Sequence, residues 1–176
     1  EDPGRLIEIL NNKAQKDREV QEKAALEESL KNPVSPKIEK DRLLYGDMDA
    51  PISIVGYLSF QCGYCAESLP IINQLTEEYD GDINFTVKFM PHSEVGFKEI
   101  LIFETLLSVD KNSAIQFLKY AFENMQAFRG NTDAEIDSFM DNLDMEKSKK
   151  EKVMSMYESK EVEPTIRKHV EEAQEF

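Results

Sequence analysis

The sequence predicts an α/β fold: a parallel strand–helix–strand unit, preceded by one long helix and followed by helices alone. Three observations carry this reading. Ile52-Ser53-Ile54-Val55-Gly56-Tyr57-Leu58-Ser59-Phe60 is short, apolar and rich in β-branched and aromatic residues, as a buried strand is. Leu69, Ile72, Leu75 and Tyr79 then recur three or four apart, the spacing of one helix face. Ile83 to Phe89 alternates strictly and reads as a second strand with one buried and one more polar face. A helical crossover between the two makes them parallel and the connection right-handed.

The elements follow in order along the 176 residues. Asp2 is suited to cap a helix and Pro3 to begin one. From Gly4 to Lys31 no proline interrupts a segment of Lys, Glu, Gln, Ala and Leu, all good helix formers. At about 1.5 Å per residue such a helix is about 40 Å long. Its apolar stripe is thin (Leu6, Ile9, Leu10, Ala14, Val20, Ala24 and Leu30) and Asp17 interrupts it. A lone long helix gains most of its stability from packing, so residues 1–31 are read as an oligomerisation arm, against a solvated charged helix. Pro33 and Pro36 end the arm, and residues 32–45 read as a linker with a short helical piece around Ile38–Leu44. The α/β part occupies residues 46–92, with Asp80-Gly81-Asp82 as a turn between helix and strand. Residues 93–176 are helical throughout: Val95–Val109, Ser113–Phe128, a break at Arg129-Gly130-Asn131, a helix capped by Thr132 or Asp133, Lys147–Tyr157, and a last helix opened by Pro164. Their Met and Phe residues, at helical spacing, belong to a core rather than to a client groove.

Cys62-Gly63-Tyr64-Cys65 lies where the first strand gives way to the helix, and it contains both cysteines of the chain. Cys62 then sits at a helix N-terminus, where unpaired N–H groups and the helix dipole favour an anion. The thiolate is that anion, and it is the form that attacks a disulfide. Cys65, one turn along, is placed to close on Cys62 and release a bound partner. Two duller readings compete. A zinc site needs about four ligands, and His92 and His169 are the only histidines available beside the cysteines, without paired spacing. A purely structural disulfide here closes a loop too small to constrain the unfolded chain. Paired cysteines on a strand–turn–helix favour redox use.

At this point a resemblance becomes specific. Gly46-Asp47-Met48-Asp49-Ala50-Pro51, the strand, and Phe60-Gln61-Cys62-Gly63-Tyr64-Cys65 resemble the entry to the DsbA-like thioredoxin-fold oxidoreductases, with Pro70 and Met90-Pro91 at fitting positions. The long N-terminal helix resembles that of the oligomeric suppressor-of-copper-sensitivity and Com1-type branch. The resemblance implies a thioredoxin-like fold with an inserted helical domain and an N-terminal helical arm. It also implies catalytic Cys62 and Cys65, with Gly63 and Tyr64 tuning the thiols. Gly-Tyr between the cysteines also occurs in DsbC-type isomerases, which leans the expected activity toward disulfide isomerase or reductase. A DsbA-like dithiol oxidase is the runner-up, and a client-binding chaperone module is the alternative of another class. The family's cis-proline loop, two further strands and final helix have no counterpart after the helical region, since neither Pro91 nor Pro164 fits that role. The C-terminal part of the fold is therefore expected to be truncated, disordered or supplied by another chain, and the apolar strand Ile52–Phe60 to keep one edge unpaired.

Composition limits the partners. A net charge of −14 argues against nucleic acid and anionic membrane. No apolar run approaches the roughly 20 residues of a membrane span. The expected partners are unfolded or misoxidised proteins, a membrane redox partner, and further copies of this chain through the arm. No cofactor or metal is expected. The sequence opens on Glu1-Asp2-Pro3 with no signal-peptide pattern, and the resemblance implies a periplasmic or secreted protein whose signal has been removed. His92 reads as a loop histidine, His169 as a surface residue, and Glu77-Glu78 and Glu171-Glu172 as solvated helix faces. Glu67 stands close to the thiols in sequence and can tune them.

Overall fold

The computed structural model describes residues 3–175. The chain divides into two compact units, residues 1–35 and 36–176.

The first unit is one helix, α1 (Pro3–Lys31). It begins and ends where the prolines dictate; the expected Asp2 cap lies outside the described residues. Leu6, Ile7, Ile9, Leu10, Val20, Leu26 and Leu30 are exposed, each by 55–72%. The stripe thus includes Ile7 and Leu26 as well.

The second unit holds β1 (Leu43–Tyr45), β2 (Ile52–Leu58), α2 (Gly63–Glu78), β3 (Ile83–Phe89), α3 (Glu94–Val109), α4 (Lys111–Glu123), α5 (Met125–Gly130), α6 (Thr132–Asn142), α7 (Lys147–Glu158) and α8 (Glu163–Ala173). The sheet has the order β1-β3-β2. Seven residue pairs join β2 to β3 in parallel, from Ile52 opposite Ile83 to Leu58 opposite Phe89. The crossover through α2 fixes that orientation, as its periodicity predicts.

The expectation of two strands and of a linker over residues 32–45 is corrected here. A single 3-10 turn, Lys40–Arg42, leads into β1, which pairs antiparallel with β3. Three residues carry too little pattern for a strand to be legible; the neighbouring edge of β3 supplies the hydrogen bonds that make one. Gly46 ends β1 at φ +74, and a Cβ there would stand 2.2 Å from the Ile83 carbonyl oxygen, so only glycine fits this return. Among the described residues β2 pairs with β3 alone, and its outer edge carries no strand.

β3 is buried along its whole length. Phe85, Val87 and Phe89 join the apolar cluster, as alternation predicts. The opposite face is not open to water. Asn84 donates to the Asp47 carbonyl (2.9 Å), and Lys88, 0% exposed, is ion-paired with Glu172 of α8. This corrects the reading of Glu171-Glu172 as a solvated pair: Glu172 covers a buried cation and also accepts the Lys37 backbone N–H at 2.6 Å. His169, expected at the surface, is buried beside Arg42 and Glu104, which form a buried ion pair with each other. An amphipathic pattern reports that a face is polar; it does not report that another polar face covers it.

The helical region builds an aromatic core. Phe60 stacks on Phe89 (centroids 4.4 Å, interplanar 7°) and meets Phe103 and Phe117 at 5.8 and 5.7 Å. Phe117 in turn contacts Phe128 and Phe139. These aromatics and Met140 are buried, as the helical spacing implies. The expected single helix Ser113–Phe128 is instead two, divided at Asn124, whose amide donates to the Tyr120 carbonyl (2.8 Å). The cap of α6 is Asn131 rather than Thr132 or Asp133: its side-chain oxygen accepts the Ala134 N–H, while Thr132 is buried and donates to the Phe128 carbonyl.

Candidate active site

Phe60 anchors the site from below. It is fully buried, and the chain turns directly above it into α2. The Cys62 N–H donates to the Ser59 carbonyl (3.1 Å), closing that turn. The Cys62 carbonyl then accepts the N–H groups of Cys65 and Ala66 (3.1 and 3.2 Å), which start the helix.

Cys62 is the N-cap of α2, and its Sγ accepts the Cys65 backbone N–H at 3.3 Å. Sulfur thus stands where a cap oxygen ordinarily does, at the positive end of the helix. The Cys62 thiol is held below its ordinary range, first by a hydrogen bond from the Cys65 side chain, then by the backbone N–H groups of Cys65 and Tyr64. The Cys65 thiol is pushed up, first by burial and then by the same contact with Cys62. Both thiols are free and both are half-buried. The two thiols thus differ less in accessibility than in the direction in which their surroundings push their ionisation. Gly63 is exposed and a Cβ there would meet nothing within 4 Å. Tyr64 is 85% exposed, its aromatic ring two residues after Cys62.

A second layer is built by residues that the sequence reading passed over. Gln61 donates through Nε2 to Glu99 of α3 (2.7 Å). Arg129, at the end of α5, donates through Nε to the Gln61 side-chain oxygen (2.8 Å) and through a terminal nitrogen to the Gln61 carbonyl (3.3 Å). Glu99 is fully buried, and burial raises its carboxyl to about 7. In sequence Glu99 stands beside Lys98, just before the apolar run Ile100-Leu101-Ile102-Phe103, and nothing local marks it as buried. His92 and Glu67 are exposed. No group of His, Cys, Asp and Glu among the described residues is arranged to hold a metal ion.

An apolar cleft of about 440 Å³ opens beside this helix, lined by Leu44, Tyr45, Ala66, Leu69, Pro70 and Phe122 among others. Chemically the arrangement offers one thiol whose ionisation is favoured, a second thiol a turn away whose ionisation is opposed, and an aromatic surface at the entrance. No helix among the described residues is long and apolar enough to cross a membrane.

Residues 38–176 match the thioredoxin family. Among solved structures the chain is similar to oxidised BdbD from Bacillus subtilis, at 16% identity over 77% of this chain and 76% of that one, TM-score 0.57. It is also similar to a linker-deleted variant of ScsC from Proteus mirabilis, at 14% identity over 97% and 78%, TM-score 0.54. Identities of this size speak for the fold: thioredoxin-like, with a helical insertion and an N-terminal helical extension. A further match, 33% identical over 67 residues, is to a Na(+)/H(+) antiporter NhaA from Herminiimonas arsenicoxydans. It covers 38% of this chain, which spans a tenth of that protein's length.

Proposed function

The chain belongs to the thioredoxin family, and we propose that it exchanges thiols and disulfides with protein clients, Cys62 as nucleophile and Cys65 as resolving thiol. The observation that carries this reading is the placement of two cysteines on one helical turn, Cys62 as N-cap with its Sγ accepting the Cys65 N–H, where the surroundings favour ionisation of Cys62 and oppose that of Cys65. The Cys62 thiolate attacks one sulfur of a client disulfide, and the other client sulfur leaves as a thiolate that takes up a proton. Cys65 then loses its proton, attacks Cys62 Sγ and releases the second client thiol. Two electrons pass from the cysteine pair to the client, with one proton from Cys65 and one from solvent. The reverse sequence oxidises a client dithiol.

Of the two directions we favour isomerisation or reduction. Gly63 and Tyr64 leave the approach to Cys62 open, and Tyr64 offers a misfolded client an aromatic contact. The exposed apolar side chains of α1 suit self-association, which would set two or more sites around one client. A membrane redox partner would recycle the pair, in a periplasmic or other extracytoplasmic oxidising space where disulfides persist. The test is to offer the protein a scrambled disulfide protein with a reducing buffer, and a reduced one with an oxidising buffer. Faster recovery of the scrambled substrate supports the isomerase; preference for the reduced substrate turns the assignment to an oxidase. Equal rates for the protein and its Cys62→Ser variant, with client aggregation still suppressed, would assign a chaperone module instead.

A further inference from the structure

The Glu99 side chain is the one feature of the site that exchange between two thiols does not require. It is a carboxyl with no exposed surface, one hydrogen bond away from the residue that precedes Cys62. Its Oε2 accepts the Gln61 amide, and its Oε1 has no hydrogen-bond partner among the described residues. A carboxyl used only to fix Gln61 would be expected to satisfy both oxygens, because an unpartnered buried polar atom costs about 1–3 kcal/mol. A carboxyl that takes up and gives up a proton needs one oxygen left free to carry it.

We propose that Glu99 is a proton-accepting positioning residue for Cys62, acting through Gln61, so that the reactivity of the nucleophilic thiol follows the protonation of a carboxyl in the helical region. The proposal rests on the thiol–disulfide reading above and adds its regulation.

The geometry fixes the sense of the coupling. Gln61 is held from both ends: Arg129 donates to its side-chain oxygen and its carbonyl, and its amide donates to Glu99. With Glu99 ionised, this is a polarised chain from guanidinium to carboxylate, with Gln61 fixed in it. A negative charge then stands one hydrogen bond from the residue that leads into Cys62, and like charges oppose each other. With Glu99 protonated, that charge is gone and the thiolate is favoured. Forming the Cys62 thiolate therefore makes Glu99 hold its proton more tightly, and forming the disulfide releases it. The groups around Glu99 fit this account. From α5, Arg129 is the cation whose charge bears on it. On α3 itself, Lys98 is engaged by Asp133 of α6 at 2.8 Å. Arg42 and His169 meet Glu104, further along α3. Burial raises the carboxyl to about 7, so its proton comes and goes near neutral pH.

The experiment is the rate of alkylation of Cys62 in the reduced full chain, followed from pH 4 to 9. Two inflections are expected in the native protein, one from the thiol and one near neutral pH from Glu99, across which the rate changes about two- to fivefold. Glu99→Gln, which keeps the shape and the hydrogen bond but cannot titrate, is expected to leave a single inflection. Arg129→Gln, a change at an exposed side chain, is expected to move the neutral inflection to higher pH by removing the cation. It serves if Glu99→Gln does not fold. An identical two-step profile in Glu99→Gln, or an unmoved neutral step in Arg129→Gln, would overturn the proposal. A native profile with one acidic inflection overturns it too, while leaving Cys62 a nucleophile. A Cys62 that reacts only in the ordinary thiol range overturns the underlying exchange chemistry instead.

Discussion

Cys62 and Cys65 differ by what surrounds each sulfur, and that difference can be read in solution. Iodoacetamide added to the reduced protein at mildly acidic pH is expected to label Cys62 first, with Cys65 following only as the pH rises, because the thiolate is the reacting form. Labelling led by Cys65 would contradict the assignment of roles. His169 is a second residue whose titration matters. Burial, then the Arg42 charge, press its imidazole from 6.5 down to about 4. A depressed folded value gives stability that is complete above 6.5 and is lost as pH falls toward 4. At about 1.4 kcal/mol per unit this is worth roughly 3–4 kcal/mol. Urea unfolding of His169→Gln is expected to show a flatter loss of stability between pH 6.5 and 4 than the native chain shows. Glu99 has the opposite sign: a raised carboxyl supports the fold below 4.5 and loses that support as pH rises through about 7. Glu99→Gln should therefore gain stability relative to the native chain above neutral pH.

At the scale of elements, the turn that carries Cys62 depends on Phe60. Its ring lies between β3 and the helices, against Phe89, Phe103 and Phe117, so removing it opens a void under the site. Phe60→Ala is expected to cost about 3–5 kcal/mol and to broaden the Cys62 pH profile; chemical denaturation measures the first and alkylation the second. Gly56→Ala should also destabilise, since its Cβ would stand 2.7 Å from the Phe85 ring. The strand–helix–strand unit was legible because each piece has a strong period and both ends are punctuated. β1 was not, because three residues have no period and the partner edge of β3 decides their state. In the site, the cysteines were legible from spacing alone. Gln61, Glu99 and Arg129 were not, because they lie up to 68 residues apart and meet only when α3 and α5 are packed. Thr132 looked like a cap by type and was drawn into the core, leaving Asn131 to cap α6.

For the whole molecule, two open features ask for partners: the apolar side chains of α1 and the outer edge of β2. Deleting residues 1–31 is expected to convert an oligomer into a monomer that still oxidises or reduces a dithiol but recovers scrambled clients poorly. Light scattering on the intact protein giving a monomer mass would remove the arm's proposed role. In hydrogen exchange, β3 amides should be the slowest of the sheet, being buried and paired on both sides, while those of β2 that point away from β3 should exchange faster.

Glu172 joins the beginning of the second unit to its last helix. It meets the Lys37 backbone, 135 residues earlier, and Lys88, 84 residues earlier. A ribosome makes these residues in order, and Lys88 cannot be buried as an ammonium before its counter-ion exists. The polar side of the sheet must therefore stay wet through the synthesis of α3 to α7, and the cysteine turn rests on a sheet sealed from one side only. Native closure arrives late and across a long loop, which is slow. Under the proposed exchange chemistry, that delay is a window in which Cys62 and Cys65 meet other chains before their own fold shelters them.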